Sequence, residues 1–475
     1  MTPVVTQRSF AQRIQSMKHL TLTSLLTGLL GLSATAAPNI IYILLDDAGY
    51  GDFSCYGQKK FQTPNIDQLA AEGMKFTNHY AGSTVCAPTR SVLMTGLHTG
   101  HTPSRGNKEI KPVGQFPIPA ETFTIAEALK KQGYATAAFG KWGLGFPGSE
   151  GEPLHQGFDR FYGYNCQRNA HTYYPTWLYD DDKKITLDGE TYSHDLIMEQ
   201  TLDWIPLHHD KPFFAYLPIT IPHAALHVPE EYAAPFRKQF PQFEDKVGNY
   251  AGPSIKNPAA MFAGMMVKLD EDTGRLMDLL KSLKIDDNTI VMFSSDNGPH
   301  QEGGHMPDFF NSSGGLRGHK RALYEGGIKT AMIARWPGKI KAGSSTDHIS
   351  AHWDVFPTLC EVAEAPVPEG LDGISFLPTL TGGEQPTHDY LYWEFHEQGG
   401  KRALRFGENG NWKAVQLGLN KKGKNAPIEI YNLSKDPKEQ KNVAAKHKEL
   451  VEEVTRHFDD AHTENEFFKF AWERK

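Results

Sequence analysis

Cys86 stands two residues before Pro88 and four before Arg90, on entry to an apolar run that reads as a helix. A proline in the first turn costs the helix no hydrogen bond, and the free N–H groups there favour negative charge. Cys86 and Arg90 would lie one turn apart, both facing an anion. Four oxygen-bearing side chains form a second set. Asp46-Asp47 ends the apolar run 39–45, and Asp296-Asn297 lies just past the run 289–294. A hard divalent cation wants such carboxylate and amide oxygens, and Ca²⁺ tolerates irregular geometry better than Mg²⁺. Aspartates after strands also cap helices and form turns. For one pair the two readings balance; two pairs favour metal. A cysteine thiolate, however, is a soft ligand suited to zinc or copper. An oxygen nucleophile would match the hard site better, yet neither Thr89 nor Ser91 has an evident base beside it. Spacing alone leaves that conflict open.

The elements that must position these residues alternate. Strands are expected over 39–45, 134–139, 213–218, 289–294 and 328–336. Helices are expected over 65–72, 122–131, 193–207, 258–283 and 354–363. Polar residues recur just beyond the strands' carboxyl ends: Asp46-Asp47, Lys141, His223 and Asp296-Asn297. That edge is where open α/β sheets bind ligands. The expected fold is therefore α/β, with a large, mostly parallel sheet sandwiched by helices. Near 385 the texture changes to short strands at 390–394, 403–405, 412–417 and 428–431, with Gly-Asn turns, closed by a charged helix over 444–462. The domains read as 38–385, catalytic, and 386–475, a small α+β unit with an antiparallel sheet.

Residues 1–37 read as a signal peptide. Arg8, Arg13 and Lys18 precede an apolar run from Leu20 to Leu32, and Ala34-Thr35-Ala36 offers a cleavage site. The expected location is periplasmic or secreted, without a stable membrane anchor. The chain of 475 residues carries a net charge of -7. Removing three positive charges with the leader gives -10, which argues against nucleic acid as partner. Four cysteines, widely separated, permit disulfides without implying any.

Cys86-Ala87-Pro88-Thr89-Arg90 resembles the C-x-P-x-R motif of the type I sulfatases, in the alkaline-phosphatase-like superfamily. Five further segments resemble that family in order: Asp46-Asp47 with Gly49-Tyr50-Gly51-Asp52, Gly140-Lys141-Trp142, Pro222-His223, Ser295-Asp296-Asn297-Gly298, and Lys320 with Glu325-Gly326-Gly327. The resemblance implies that a maturation enzyme oxidises Cys86 to formylglycine (3-oxoalanine), whose hydrate supplies the missing oxygen nucleophile. It implies one Ca²⁺ bound by Asp46, Asp47, Asp296 and Asn297 together with modified Cys86. Arg90 would hold and polarise formylglycine, and Lys141 and Lys320 would clamp sulfate oxygens. His223 would bind sulfate or protonate the leaving oxygen.

One position departs from the pattern. The family commonly carries histidine two residues after the lysine of Gly140-Lys141-Trp142, and this chain has Gly143. His171 is the first candidate to supply the missing base, and His300 the second. Arg168, His171 and Tyr173, with His98, His101, Arg105 and Asn107, set polar groups beside aromatic rings, as a sulfated sugar would need. A galactose- or N-acetylgalactosamine-type sulfate ester is the expected substrate. Two alternatives stay open: a phosphoesterase of the same superfamily, and a catalytically impaired sulfoglycan-binding protein, for which Gly143 is the best argument.

Overall fold

The computed structural model describes residues 37–474. The leader expected at residues 1–37 falls, apart from Ala37, outside the described residues. Within them the strands are β1 (Asn39–Leu45), β2 (Met74–Tyr80), β3 (Ala135–Lys141), β4 (Arg160–Tyr164), β5 (Trp177–Asp180), β6 (Lys183–Thr186) and β7 (Phe213–Pro218). A two-residue hairpin follows, β8 (Val247–Gly248) and β9 (Ile255–Lys256), and then β10 (Thr289–Ser295), β11 (Lys329–Arg335), β12 (Ser344–Thr346) and β13 (Ser350–Ala351). The last four are β14 (Tyr390–Phe395), β15 (Lys401–Phe406), β16 (Trp412–Leu417) and β17 (Ile428–Asn432).

The main sheet runs β12-β2-β11-β10-β1-β7-β3-β4-β5-β6, with β13 also on β2. Its centre, β10-β1-β7-β3-β4, is parallel. Antiparallel strands flank it on both sides: β11 and β2 on one, β5 and β6 on the other. Strand β1 explains the layering. Ile41, Ile43 and Leu45 enter one apolar core with the helix Pro258–Ser282, while Ile40, Tyr42 and Leu44 enter another with the helix Val355–Val362. A strand buried on both faces reads as a near-continuous apolar run, as Ile40–Leu45 does after Asn39. The mostly parallel α/β sheet agrees with the sequence reading. Strand β2 and the edge hairpin β5-β6 were not foreseen, because Met74-Lys-Phe-Thr-Asn-His-Tyr80 mixes polar and apolar residues and Lys183–Thr186 is largely exposed.

The antiparallel sheet β14-β15-β16-β17 lies beyond residue 385. One face, with Trp393, Ala403 and Val415, packs on Tyr80, Val92 and Trp353; the other carries the helix Lys448–Asp460 through Val454 and Phe458. The expected helix 444–462 is shorter than read, a single turn at Ala444–Lys446 preceding it.

A buried ion pair ties this sheet to the segment after the helix Cys86–Thr95. Arg105 Nη1 donates to Glu394 Oε1 at 2.9 Å and to the Thr463 carbonyl at 2.7 Å. Burial raises the Glu394 carboxyl, but the hydrogen bond from His462 and the charges of His396 and Arg105 overcome this and bring it down to about 2. A depressed carboxyl contributes stability above its ordinary value of 4.5, lost as pH falls towards 2. Arg105→Ala strands Glu394 and is expected to cost about 3–5 kcal/mol in urea unfolding at neutral pH. That deficit should shrink as Glu394 protonates; a deficit unchanged at pH ~3 contradicts the linkage.

Candidate active site

The carboxyl ends of β1, β3, β7 and β10 converge on one buried point. Ladder-like hydrogen bonds extend past the strands, Asp46 N to the Ile221 carbonyl (3.2 Å) and Asp296 N to the Leu45 carbonyl (2.9 Å). They carry both acidic pairs to the same level. Asp47 then adopts φ +72°, a left-handed conformation uncommon outside glycine. Its backbone N–H donates to Asp296 Oδ1 at 3.0 Å, and Asn297 Nδ2 donates to Asp47 Oδ1 at 2.8 Å. Asp46, Asp47, Asp296 and Asn297 are fully buried together.

Cys86 opens the helix Cys86–Thr95, which Gly96 ends in a left-handed conformation at φ +68°. The Cys86 thiol donates to Asp46 Oδ1 at 3.2 Å. One turn on, the buried Arg90 guanidinium bonds the Lys141 carbonyl and lies 3.2 Å from Asp296 Oδ2 and 3.7 Å from Asp46 Oδ2. Lys141 Nζ meets Asp46 Oδ2 at 2.5 Å, and Lys320 Nζ meets Asp47 Oδ2 at 2.7 Å and His223 Nε2 at 3.2 Å. Three buried acidic side chains thus face three buried cations at the floor of the site.

The protonation states follow from that crowding. Burial raises the Asp46 carboxyl, yet the surrounding cations, Lys141 first, hold it well below the usual range. Burial and the adjacent Asp46 carboxylate push Asp296 up to about 8. Burial also pushes the Cys86 thiol well up, and Asp46 adds to the effect, so a thiolate is disfavoured here. Burial and the neighbouring His223 bring His171 down to about 2, leaving it a neutral imidazole.

The opening is a pocket of about 270 Å³, whose lining includes Cys86, His171, His223, Lys320, Arg168 and Gln167. His171 stacks on His223, ring centres 5.0 Å apart and planes 3° from parallel. His300 lies on His223 at 5.9 Å but is fully buried; its Nε2 bonds the Pro222 carbonyl and its Nδ1 accepts from Glu302 N. Arg168 sits on the rim, its side chain 67% exposed, paired with Glu109 at 2.6 Å. Asn107 lines the wall and accepts from Ala87 N. His98, His101 and Arg105 turn elsewhere, the two histidines to Asp372 and the arginine to Glu394. The loop after Gly96 folds back onto the antiparallel sheet, which sequence spacing could not reveal. Sequence reading also missed Tyr250, Arg321, Gln167 and Glu397 in the pocket wall. Glu397 arrives on the β14-β15 hairpin, and no local motif marks it. The four cysteines are unpaired.

The donor set suits a hard cation. Asn297 Oδ1 is a buried acceptor without a partner, beside carboxylates of Asp46, Asp47 and Asp296. Calcium accepts carboxylate and amide oxygens of this kind. Among the described residues no helix is long and apolar enough to cross a membrane.

Comparisons with known proteins give the family. Residues 38–365 match the sulfatase family, and residues 317–464 match the C-terminal region of N-sulphoglucosamine sulphohydrolase. Human arylsulfatase A is 32% identical over 464 residues, covering 87% of this chain and 84% of its own. The N-acetylgalactosamine-6-O-sulfatase of Bacteroides thetaiotaomicron is 28% identical, covering 88% and 92%. The crystal structure of Ps i-CgsB in complex with k-i-k-neocarrahexaose superposes with a TM-score of 0.77 at 27% identity, covering 91% of this chain and 95% of that one. A phosphonate monoester hydrolase of Agrobacterium radiobacter shares the fold at 22% identity and TM-score 0.64. The chain belongs to the sulfatase family, within the alkaline-phosphatase-like superfamily, and is a sulfuric ester hydrolase.

Proposed function

We propose that this chain hydrolyses sulfate esters of carbohydrate, using an oxygen nucleophile derived from Cys86 and one Ca²⁺ ion. The observation that carries the reading is Cys86 itself. It lies in the wall of the polar pocket, hydrogen bonded to Asp46, with Arg90, Lys141, His223 and Lys320 around it. Formylglycine at this position supplies a hydrated aldehyde whose oxygen can attack sulfur. Asp46, Asp47, Asp296 and Asn297 would hold calcium, which when bound offsets the charge of the sulfuryl oxygens.

The remaining work falls to this chain's own side chains. Lys141 and Lys320 bind sulfate oxygens, and Arg90 fixes the nucleophile's side of the pocket. A single fixed donor supplies only about 3–4 kcal/mol of barrier lowering, so several are needed. Lys320 Nζ, donating to His223 Nε2 at 3.2 Å, is the group that would hand a proton to the leaving sugar oxygen, with His223 holding it in place. His171, stacked on His223 in the pocket wall, is the proposed acceptor of the proton that Gly143 cannot take. His171→Ala is therefore expected to lower kcat by about 10²-fold. Turnover unchanged in that variant removes His171 from the chemistry.

The pocket rim supports a saccharide ligand, with Arg168, Asn107 and Tyr250 offering charge, amide and ring. The relatives named for N-acetylgalactosamine 6-sulfate and the neighbour solved with a neocarrahexaose point the same way. A galactose- or N-acetylgalactosamine-type ester is the proposed substrate, acted on outside the cytoplasm after maturation of Cys86. Mass spectrometry of the Cys86 peptide, paired with sulfate release from defined sulfated saccharides, tests the reading. An unmodified thiol in fully active protein sinks the nucleophile. Faster turnover of aryl phosphate than of aryl sulfate favours a phosphoesterase instead.

A further inference from the structure

A second cleft, of about 890 Å³, lies between the β12–β13 connection beside β2 and the turn that joins β15 to β16. It shares no residue with the catalytic pocket. Arg405, near the end of β15, lines it and is only 7% exposed. Its guanidinium stands 5.1 Å from the centre of the Tyr80 ring, and its hydrogen bonds go to neutral groups. These are the Gly410 carbonyl at 2.8 Å, the Tyr80 hydroxyl, and Asn78 Oδ1 at 3.5 Å. Nη2 makes no hydrogen bond among the described residues and, unlike the enclosed Arg90 Nε, keeps surface open to the cleft. Burial lowers the Arg405 pKa to about 10, opposed by the charge of Glu439, so the ion stays cationic at neutral pH. A buried cation without a bonded anion is costly, and an anionic ligand offsets that cost.

The rest of the wall selects the kind of anion. Asp347, Asp389 and Glu453 line the same cleft. They repel a free dianion such as inorganic sulfate, yet carboxylates accept hydrogen bonds from hydroxyl groups. Tyr390 and His457 set their rings 4.5 Å apart in the wall, where they offer apolar area with polar tips. A ligand with hydroxyls, an apolar face and a single negative substituent meets all of these groups. We propose that this cleft is a second, non-catalytic binding site for an anionic sugar unit. Its sulfate ester or carboxylate accepts from Arg405 Nη2, and its hydroxyls donate to the three carboxylates. Nothing in the cleft takes part in turnover, so this site stands or falls apart from the hydrolytic reading above.

Hydrogen–deuterium exchange on the full chain carrying Cys86→Ala tests the site without consuming ligand. Segments 387–391 and 407–411 report the cleft, and 167–171 the catalytic pocket. Galactose 6-sulfate and galacturonate are the probes, with galactose and inorganic sulfate as controls. At least one probe is expected to protect both cleft segments, and which one does so separates ester from carboxylate. Arg405→Gln should raise the half-saturating concentration there about tenfold or more, while protection of 167–171 is unchanged. Thr387→Glu, at an exposed position on the rim, should act likewise through like-charge repulsion. It carries the measurement should the buried substitution impair folding. Cleft segments left unprotected by both probes up to their solubility overturn the proposal. So does equal protection by galactose or inorganic sulfate, or protection in the folded variants equal to wild type. Failure of the wild-type chain to release sulfate from any ester would sink the hydrolytic reading alone.

Discussion

Replacing Cys86 with alanine is expected to lower sulfate release by on the order of 10⁴–10⁶-fold, the range seen when a catalytic nucleophile is removed. The neighbouring hydroxyls cannot take over. Thr89 Oγ1 accepts from Ser83 N and donates to the Asp296 carbonyl, and Ser91 Oγ is bonded to Thr102 Oγ1 at 2.7 Å. Both residues are fully buried. Cys86 makes one side-chain hydrogen bond, to Asp46, so alanine should cost little stability, within about 1.5 kcal/mol. Loss of activity with a near-normal melting curve is the expected pair of results. Activity kept by the alanine variant would move the chemistry to another residue.

Arg90→Lys should be nearly as severe, although it preserves charge. The guanidinium spans the ends of three strands: Asp46 after β1, the Lys141 carbonyl on β3, and Asp296 after β10. An ammonium is a point donor on a flexible stem and cannot hold all three at once. Burial opposes the Arg90 charge, but Tyr216, Asp46 and Asp296 raise its pKa above even the usual arginine value, so the ion stays charged. Losing the fork leaves Asp296 short of its partner in a closed volume. The expected cost is about 3 kcal/mol of stability, with kcat/KM down about 10²–10³-fold. Urea unfolding and steady-state kinetics on the same preparation check both numbers. An unfolding midpoint equal to wild type would show that the clamp is not structural.

How much of the molecule is legible in its sequence depends on how far apart the partners lie in the chain. Strand β1 was legible because Ile40–Leu45 is a short, Ile-rich apolar run that stops at Asp46-Asp47, too short for a buried helix. The acidic pairs were legible because each directly ends such a strand, and a parallel sheet sends those ends to a common edge. Cys86, Arg90, Lys141, His223 and Lys320 came from short motifs whose order carries the family resemblance.

What stayed hidden depends on long-range folding. His98, His101 and Arg105 follow the helix Cys86–Thr95 in sequence, yet Gly96 reverses the chain and delivers them to Asp372 and Glu394. Glu397 reaches the pocket from the antiparallel sheet, about 300 residues after Cys86. Gly143 marked an absence in the sequence, but only packing shows the Gln167 amide beside it. By itself the sequence determined strands β1, β3, β7, β10 and β11, the acidic edge and the family, because each is written in local pattern. The tertiary structure alone decided which polar groups face the pocket, because that choice depends on where loops from distant segments close against one another.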